Sequence, residues 1–499
     1  MCLALKNLAR KGHTIQRWKV ALNRLYIMMN TINWRTVMSM HSSFRYLTLS
    51  VAVSLSMTLQ CPAENPVVQT SFTADPAPLV YNGTVYLYTS HDEDDANGFK
   101  MLNWKLYTST DMVNWTDHGT IASLATFPWA VQTNDAWAPQ VIERNGKFYL
   151  YAPISVPEWP KNVIAVAVAN SPLGPFKDAI GHPLIDKAMG NIDPTVFIDD
   201  DGQAYLYWGN PNLWYVKLNN DMISYSGDIV KVDSKPQNYQ EGPWFYKRNG
   251  KYYMAYASHC CPEGIGYAMS NSATGPWEYK GMIMKPDTAS SGNHPGIIDY
   301  KGSSYVFGFN YALNFALTST HRERRSVCVA KFTYNPDGAI PTLPWWNKQG
   351  VPQIGTLNPF RRTEAETLSW ESGVKTAQND KIGVYVTRIT NGNYLKVSGV
   401  DFGNNQASSF TASVASGSNG GLIELHLDSV DGPMIGALAI SNTGGWDNWQ
   451  AKTTTVSGAV GTHDLYFVFK GEESGQLFNF DYWKFGKKTS SRVQVRDRH

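Results

Sequence analysis

The sequence predicts an all-β protein in two parts, a five-bladed β-propeller followed by a β-sandwich of jelly-roll type. Three observations carry this prediction: a strand–turn–strand unit that occurs five times, a Pro- and Gly-rich break after residue 340, and short alternating strands beyond it. Charged residues make up 17% of the 499 residues, alongside 27 Tyr, 17 Trp and 41 Gly. Low charge with abundant aromatic residues and Gly is typical of a turn-rich β protein.

The charge of the chain excludes several classes of protein. A net charge of +2 argues against a disordered protein, a coiled coil and a nucleic-acid-binding protein with a strong basic field. The charge is also uneven, because residues 1–63 hold eight Lys or Arg and no acid. The rest of the chain is therefore mildly acidic.

The amino-terminal region has the pattern of an export signal. Residues 46–59 are apolar or small, follow Arg45 and are too few to span a bilayer comfortably. We therefore interpret 1–63 as a signal peptide with an overcalled extension, translation beginning at Met38 or Met40. A genuine basic targeting extension is the alternative. The prediction is an extracellular protein with no membrane association after cleavage.

Three cysteines remain after cleavage, too few for a disulfide scaffold. Cys260 and Cys261 could form a vicinal disulfide, one of them could pair with Cys328, or all three could be free buried thiols. Two glycosylation sequons begin at Asn82 and Asn114 and give weak support for secretion.

Residues 64–340 contain the repeated unit. Each copy has a Pro, a Gly seven or eight residues later and a Tyr three residues after that Gly. The glycines are Gly83, Gly146, Gly202, Gly250 and Gly302, and the tyrosines are Tyr86, Tyr149, Tyr205, Tyr253 and Tyr305. Apolar residues on both sides of a turn in which Gly supplies a positive φ predict a hairpin.

A weaker repeat lies between the hairpins and indicates about four strands per unit. Five such units at this spacing are typical of a five-bladed propeller. The segments near Val67–Thr73 and Val327–Tyr334 are positioned to pair and close the ring.

The positions before the repeated prolines differ between copies although the backbone pattern repeats. They hold Asp75, Ala138, Asp193, Gly242 with Glu241 one residue earlier, and His294. Equivalent positions of a propeller converge on its axis, so three carboxylates and a histidine should meet there. Variation on a repeated scaffold is typical of a functional site. The alternative is that Asp75 and Asp193 only form turns as Asp-Pro dipeptides.

Three carboxylates in one place suit glycoside hydrolysis. One carboxyl group must be protonated to donate to the leaving oxygen, and another must be ionised to activate water. A third carboxylate would raise the pKa of the acid by like-charge repulsion and orient it.

Several motifs resemble glycoside hydrolases of family 43. They are Asp75-Pro76, Asp135-Ala-Trp-Ala-Pro139, Asn191-Ile-Asp-Pro194, Glu241-Gly-Pro243, Pro262-Glu-Gly-Ile-Gly-Tyr267 and Asn293-His-Pro295. The resemblance covers roughly 66–340 and implies a five-bladed propeller with inverting hydrolysis. It makes Asp75 the general base, Glu241 the general acid and Asp193 the residue that tunes and orients the acid.

The same resemblance implies roles for further residues. His294 matches a channel histidine that binds calcium directly or through water, and a neutral hydrogen-bonding histidine is the alternative. Arg325 resembles a substrate-contacting arginine, or belongs to a surface charge cluster. Trp137 would form the floor of the sugar pocket or be a buried core residue. The acidic cluster 91–95 would rim the site or form a solvated loop.

A second domain follows a predicted linker at 341–359. Residues 360–486 alternate as a β-sandwich does, and 487–499 form a polar tail. The segments 363–366, 391–396, 399–403, 445–449 and 479–483 resemble a family-6 carbohydrate-binding module. That resemblance implies a sugar clamp by Tyr385, Trp446 and Asn479, with core packing as the alternative for the two rings. It also implies a structural calcium held by Glu364, Glu366 and Asp481.

Together these features predict a secreted α-L-arabinofuranosidase that removes side chains from arabinoxylan by inversion. The expected partner is a plant cell-wall polysaccharide. The chemistry is expected to require no cofactor, and a structural calcium is expected in addition. The protein is expected to be a monomer that binds no nucleic acid. A β-xylosidase or endo-arabinanase of the same family is the alternative. A non-catalytic sugar-binding propeller is a more distant one.

Overall fold

The computed structural model describes residues 64–158, 162–187, 190–288, 292–404, 407–472 and 474–487. The predicted signal region 1–63 and residues 488–499 of the predicted tail lie outside this range. Strands dominate the described residues, which confirms the all-β prediction. Their helical segments are α1 (Ala312–Leu317) and a single 3-10 turn (Leu124–Thr126). No helix in this part of the chain has the length and hydropathy needed to cross a bilayer.

Residues 72–332 form five antiparallel sheets that follow one another along the chain. The sheets contain β1 (Phe72–Tyr81), β2 (Thr84–Asp92), β3 (Asn103–Ser109) and β4 (Trp115–Ser123); β5 (Gln140–Arg144), β6 (Lys147–Ser155), β7 (Asn162–Ala169) and β8 (Lys177–Asp178); β9 (Thr195–Ile198), β10 (Ala204–Trp208), β11 (Trp214–Leu218) and β12 (Tyr225–Lys231); β13 (Tyr239–Arg248), β14 (Lys251–Ser258), β15 (Gly264–Ser270) and β16 (Glu278–Met284); and β17 (Gly296–Tyr300), β18 (Ser303–Asn310) and β19 (Ser326–Phe332). Each predicted hairpin is the first strand pair of one sheet. The fifth sheet has three strands rather than the predicted four.

The hairpins form where the turn chemistry predicts them. Gly83 and Gly146 occupy the turns of the first two hairpins with φ of 76° each, a left-handed conformation that glycine adopts without steric cost. In the strands that follow, successive side chains point into two neighbouring hydrophobic cores. The sheets therefore pack face to face through their aromatic and aliphatic side chains.

The first strands of the five sheets surround one cavity. Its lining includes the five X-Pro pairs of the repeat: Asp75-Pro76, Ala138-Pro139, Asp193-Pro194, Gly242-Pro243 and His294-Pro295. The two ends of this region also meet, because Val67 N donates to Val327 O at 2.8 Å and Thr73 N donates to Arg325 O at 2.9 Å. The predicted contact between the first and last segments is therefore present.

The carboxyl-terminal domain is a sandwich of two antiparallel sheets. One sheet has the order β23 (Lys375–Asn379), β24 (Gly383–Thr387), β31 (Asn479–Lys487), β26 (Ala407–Ser416) and β29 (Gly445–Thr455), with β20 (Thr363–Glu364) also on β31; the other has the order β22 (Trp370–Ser372), β25 (Tyr394–Asp401), β30 (Thr462–Lys470), β27 (Gly421–Leu427) and β28 (Met434–Ile440). Buried residues from both sheets form one separate hydrophobic core between them.

The predicted linker packs against the first domain instead of hanging free. We call residues 341–357 the strap. Leu343 N donates to Ile283 O of β16 at 2.7 Å, Asn65 N donates to Lys348 O at 2.9 Å, and Ile354 N donates to Asp111 O at 2.9 Å. Trp346 and Val351 of the strap are buried. The Pro-rich composition predicted irregular backbone correctly, but these two apolar side chains give the strap its own place in the core.

The sandwich also joins the first sheet. Strand β21 (Thr367–Leu368) pairs antiparallel with β4, which gives that sheet a fifth strand. Asn114 Nδ2 donates to Ser398 O at 2.9 Å, and Ser398 N donates to Asn114 Oδ1 at 2.8 Å. Because Asn114 is buried in this junction, the sequon that begins there is inaccessible, whereas Asn82 is exposed.

The cysteines adopt one of the three predicted arrangements. Cys260 and Cys261 form a vicinal disulfide with an S–S distance of 2.04 Å. Cys328 is a buried free thiol in β19.

Candidate active site

Two acidic residues of the cavity have an unusual backbone conformation. Asp75 has φ of 50° at a bulge, where the register of β1 with β2 shifts between Ala74 and Ala77, and Asp193 has φ of 56° just before β9. A bulge bends a strand and redirects one side chain, and positive φ at a non-Gly residue is a costly conformation often found at functional sites. The Asp-Pro dipeptides are therefore part of the site as well as of the strand geometry.

The fourth sheet has the same bulge but needs glycine at the equivalent position. Gly242 has φ of 57°, and a Cβ there would lie 2.6 Å from Cδ2 of His294. The carboxylate of this sheet is accordingly supplied one residue earlier, by Glu241, whose longer side chain reaches the cavity. This contact explains why the acid of the fourth copy stands one residue before the repeat position.

The site is a cavity of about 220 Å³ at the centre of the five sheets. Its lining residues are Asp75, Phe99, Met101, Trp137, Ala138, Ile192, Asp193, Asn210, Glu241, Gly292, His294 and Arg325. Six of the residues predicted from the sequence thus lie in one cavity: Asp75, Trp137, Asp193, Glu241, His294 and Arg325.

Asp75 is held as a hydrogen-bond acceptor. Arg325 Nη1 donates to Asp75 Oδ1 at 2.8 Å, and the Ser90 hydroxyl donates to Asp75 Oδ2. Arg325 is itself fixed by Asp92, to which its Nε and Nη2 donate at 3.0 and 2.9 Å. Arg325 is only 2% exposed, so it does not belong to a surface charge cluster. A carboxylate that accepts from donors on both oxygens is stabilised in its ionised form.

His294 lies between the carboxylates. Its Nδ1 is 3.4 Å from Asp75 Oδ1, and its Nε2 is 3.6 Å from Asp193 Oδ2 and 3.5 Å from Glu241 Oε1. Burial alone lowers the pKa of His294, but the surrounding carboxylates outweigh burial and raise it to about 10. The surrounding carboxylates therefore favour the protonated form of the ring.

Asp193 supports the backbone next to the acid. Its Oδ2 accepts a hydrogen bond from Gly242 N at 3.1 Å. Burial raises the pKa of Asp193, the charges of Glu241 and Asp75 raise it further and His294 opposes them, which gives about 7. Glu241, Asp193 and His294 lie so close that their ligand atoms are within 4.8 Å of one another.

Glu241 has a partner that the sequence did not identify. Asn210, in the loop between β10 and β11, donates a hydrogen bond from Nδ2 to Glu241 Oε2. Ser90 was also missed, although it pairs with Ala74 in the first hairpin, so the register could have pointed to it. Asp92 was named as part of the acidic cluster 91–95, and the structure buries it against Arg325. Nothing in the repeat marks Asn210, because it lies outside the aligned segments.

The residues predicted to form the clamp on the sandwich are differently exposed. Trp446 is 40% exposed and packs beside Gly417, whose added Cβ would lie 2.7 Å from the indole nitrogen. Tyr385 is partly buried, edge-on to Trp449 with ring centroids 5.2 Å apart. Asn479 is buried, and its Nδ2 donates to Trp446 O at 2.9 Å. Asn479 thus holds the backbone that carries Trp446.

The predicted metal ligands of the sandwich surround two unpartnered oxygens. In the part of the chain that the structure describes, Glu366 Oε2 and Asp481 Oδ1 are buried without a hydrogen-bond partner. Burial, followed by the charge of Glu364, raises the pKa of Glu366 well above its usual range. Arg362 contacts two of these carboxylates, with Nη2 2.8 Å from Glu364 Oε2 and 3.6 Å from Asp481 Oδ1. Carboxylate oxygens are ligands that calcium prefers, so the donor set has the chemistry of a calcium site, and Arg362 supplies positive charge beside it.

His294 lies in a group of side chains that could hold a metal ion. Its two nitrogens face oxygens of Asp75, Asp193 and Glu241, and the ligand atoms of His294, Asp193 and Glu241 lie within 4.8 Å of one another. Contact of His294 with calcium, directly or through water, stays a prediction.

Comparison with known proteins identifies both domains. Residues 63–340 match the model of glycosyl hydrolases family 43, and residues 364–487 match that of carbohydrate binding module family 6. An arabinoxylan arabinofuranohydrolase of Bacillus subtilis (strain 168) is 36% identical over 88% of this chain and 95% of its own length. An arabinoxylan arabinofuranohydrolase of Paenibacillus polymyxa is 34% identical over 86% of this chain and 75% of its own length.

A solved structure is similar over both domains. The crystal structure of a family 43 arabinoxylan arabinofuranohydrolase from Bacillus subtilis, in complex with cellotetraose, superposes with a TM-score of 0.75. The two chains are 35% identical, and the match covers 85% of this chain and 97% of the other. The chain belongs to glycosyl hydrolases family 43 and carries a carbohydrate binding module of family 6.

Proposed function

We propose that this protein removes α-L-arabinofuranosyl side chains from arabinoxylan by single-step, inverting hydrolysis. The observation that carries the proposal is the pair Asp75 and Glu241, which lie on opposite nitrogens of one imidazole ring in one cavity. Inverting enzymes keep their two carboxyl groups about 6.5–9.5 Å apart to leave room for water. The ring between the two carboxylates supports such a separation.

The residues have distinct roles in the reaction. Glu241 gives its proton to the glycosidic oxygen as the bond from that oxygen to the anomeric carbon breaks. A water oxygen bonds to the anomeric carbon from the opposite face, and its proton goes to Asp75. Arg325 and Ser90 hold Asp75 as the acceptor. Solvent then returns the proton from Asp75 to Glu241.

The form of the cavity supports an arabinofuranosidase over an endo-arabinanase. A cavity of about 220 Å³ is smaller than the roughly 300–1,000 Å³ of sites for drug-sized ligands. It suits one pentose ring rather than an internal stretch of a chain. The arabinoxylan arabinofuranohydrolases that resemble this chain over both domains add support for a side-chain-removing enzyme.

The proposal includes a closed five-bladed ring. Backbone hydrogen bonds from Val67 to Val327 and from Thr73 to Arg325 support closure. The strap runs from the fourth sheet to the first and passes the three-stranded fifth sheet on its way. It thereby supports the blade that lacks an outer strand.

The proposal also includes a sandwich that binds the polysaccharide and holds calcium. Trp446 and Tyr385 supply ring faces for sugar stacking, and Asn479 fixes the segment that carries Trp446. The two unpartnered oxygens of Glu366 and Asp481, with Glu364 beside them, would hold the ion. Calcium there would neutralise buried charge and tie β20 to β31, and it has no part in the hydrolysis.

We further propose that the protein is exported and acts as a monomer outside the cell. The basic residues followed by the apolar run at 46–59 support export. Amino-terminal sequencing of the protein from culture medium tests this, and a start upstream of residue 46 would contradict it.

The test of the activity is product release from wheat arabinoxylan, debranched arabinan and xylo-oligosaccharides by wild type and Glu241→Gln. Arabinose from arabinoxylan alone, lost in the variant, is the expected result. Xylose from the oligosaccharides would make the enzyme a β-xylosidase, and no sugar from any substrate would favour the binding-only propeller. Proton NMR of the first-formed sugar should show the β-anomer, since the bond cleaved is α.

A further inference from the structure

The two oxygens of the general acid have different surroundings. Oε2 of Glu241 accepts the hydrogen bond from Asn210 Nδ2. Oε1 lies 3.5 Å from His294 Nε2, on the side where a Cβ at Gly292 would come within 3.4 Å of it. Both oxygens of Glu241 thus face nitrogen atoms, the Asn210 amide at Oε2 and the His294 ring at Oε1, and the carboxyl group is held from two sides. Gly292 has no side chain to cover Oε1.

The orientation of the Asn210 amide is fixed by a second bond. Gln240 Nε2 donates to Asn210 Oδ1 at 3.1 Å, so the carbonyl oxygen of the amide faces Gln240 and its NH₂ group faces Glu241. Gln240 and Glu241 are adjacent in β13, so the strand that carries the acid also carries the group that sets its donor.

The backbone around Asn210 is equally constrained. Gly209 N donates to Ile192 O at 2.9 Å, and the Tyr239 hydroxyl donates to Gly209 O at 2.6 Å. A Cβ at Gly190 would lie 2.2 Å from Asn210 O, so the loop can approach this closely only because position 190 is glycine. Such support is what holds a catalytic group in one productive geometry.

We propose that Asn210 is a positioning residue that holds the carboxyl group of Glu241 for proton transfer and stabilises the charge that the transfer leaves. This inference rests on the proposed function of Glu241 as the acid. Asn210 binds Oε2 through Nδ2 and thereby fixes the direction of the carboxyl group. When the O–H bond of Glu241 breaks and the proton joins the leaving oxygen, the negative charge left on Glu241 is stabilised by the hydrogen bond that Asn210 already makes.

The proposal predicts an effect that depends on the leaving group. A xylose hydroxyl is a poor leaving group and needs the proton, whereas 2,4-dinitrophenolate leaves without it. Asn210→Leu keeps a side chain of similar size without the donor. Its kcat on arabinoxylan should fall about 30-fold, part of the 100- to 10,000-fold that acid catalysis supplies. Its KM, and its kcat on 2,4-dinitrophenyl α-L-arabinofuranoside, should change by less than about threefold.

Two further variants complete the experiment. Gln240→Ala removes the group that orients the amide and should show the same pattern with a smaller loss, which keeps the proposal testable if Asn210→Leu fails to fold. Asn212→Ala lies in the same loop, outside the cavity lining, and should behave as wild type. Thermal unfolding of each variant reports whether the fold is kept.

The outcomes separate this inference from the proposed function. Equal losses on both substrates would mean that Asn210 is only structural and would overturn the proposal, as would full activity of Asn210→Leu. If the wild type cleaves the aryl glycoside but not arabinoxylan, the proposed substrate fails. A comparison of methyl with 2,4-dinitrophenyl α-L-arabinofuranoside then still tests Asn210.

Discussion

In the central cavity Asp75, Asp193 and Arg325 are buried and contact other charged groups, whereas the predicted clamp residues of the sandwich are neutral and Trp446 lies 40% in solvent. Acid–base catalysis needs groups whose protonation is set before the substrate arrives, so water must be excluded and charges must be paired. Sugar stacking needs an apolar ring face that solvent can reach. The difference shows that one chain contains a buried electrostatic site and an exposed aromatic side chain suited to a different kind of contact.

The junction connects these two regions firmly. Strand β21 of the sandwich completes the first sheet, and Asn114 and Ser398 exchange hydrogen bonds across the boundary. Thr376 Oγ1 also donates to Asp117 Oδ2 at 2.7 Å. The sandwich therefore sits in one orientation on the first sheet.

The largest effect is expected from Glu241→Gln. Removing the proton donor should lower kcat on arabinoxylan about 1,000-fold, within the range of general acid catalysis. Binding to insoluble arabinoxylan, measured by depletion, should be unchanged because the sandwich is untouched. The matched control is Glu278→Gln, which changes an exposed carboxylate of β16. If Glu241→Gln lost binding in proportion to activity, binding and hydrolysis would not be separate functions of the two domains.

The next largest effect is expected from Arg325→Lys. Lysine keeps the charge but lacks the fork that contacts Asp75 and Asp92 together. The general base would then be displaced, and kcat should fall about 100-fold, the cost of a misplacement near 1 Å. Arg324→Lys is the neighbouring control. Steady-state kinetics with unchanged kcat would show that the position of Asp75 does not depend on Arg325.

Trp346→Ala tests the strap between the two regions. Deleting a buried Trp side chain should lower the free energy of unfolding by about 3 kcal/mol, because a cavity is left where it packed. Trp345→Ala, at a partly buried position beside it, should cost about 1 kcal/mol or less. Urea unfolding followed by fluorescence gives both values. Equal and small losses of unfolding free energy in the two variants would mean that the strap is only a covalent connection.

Trp446→Ala tests the sandwich surface alone. Affinity for arabinoxylan should fall about tenfold, since a central aromatic anchor commonly supplies 1–2 kcal/mol of binding. The kcat on 4-nitrophenyl α-L-arabinofuranoside should stay at the wild-type value. Met434→Ala removes another exposed apolar side chain, from β28, and should leave binding intact. An equal loss there would argue against a specific clamp.

The smallest effect is expected from removing calcium. EDTA should lower the Tm by about 4 °C, because Glu366 and Asp481 would be left as uncompensated buried carboxylates. Glu366→Gln should abolish this response, and calcium should restore the Tm of the wild type better than magnesium. Activity on the aryl glycoside at 25 °C should not change. An EDTA-insensitive Tm would contradict the sandwich site.

The repeated units were predictable because each hairpin is a local structure. Gly83 and its four equivalents need a left-handed turn, and the alternation of side chains on both sides of the turn follows from the strand itself. The equivalence of Asp75, Asp193 and His294 could also be found, since a repeated backbone must bring equivalent positions to equivalent places. No structure was needed for either step.

Other features could not be predicted, because they depend on contacts between distant segments. The strap was taken for a linker since its composition is that of irregular backbone, while the burial of Trp346 depends on the shape of the sheets it meets. The missing fourth strand of the fifth sheet has no sequence signal.

The sequence by itself determined the all-β class, the five hairpins and the identity of the acidic residues, because turn chemistry, alternation and repeat register are encoded within a few tens of residues. Only the tertiary structure decided how those residues are charged and held. The pairing of Arg325 with Asp75 and Asp92, and the bond from Asn210 to Glu241, join segments 31 to 250 residues apart. Their energies depend on burial and on distances of a few ångströms, which arise only when the sheets have packed.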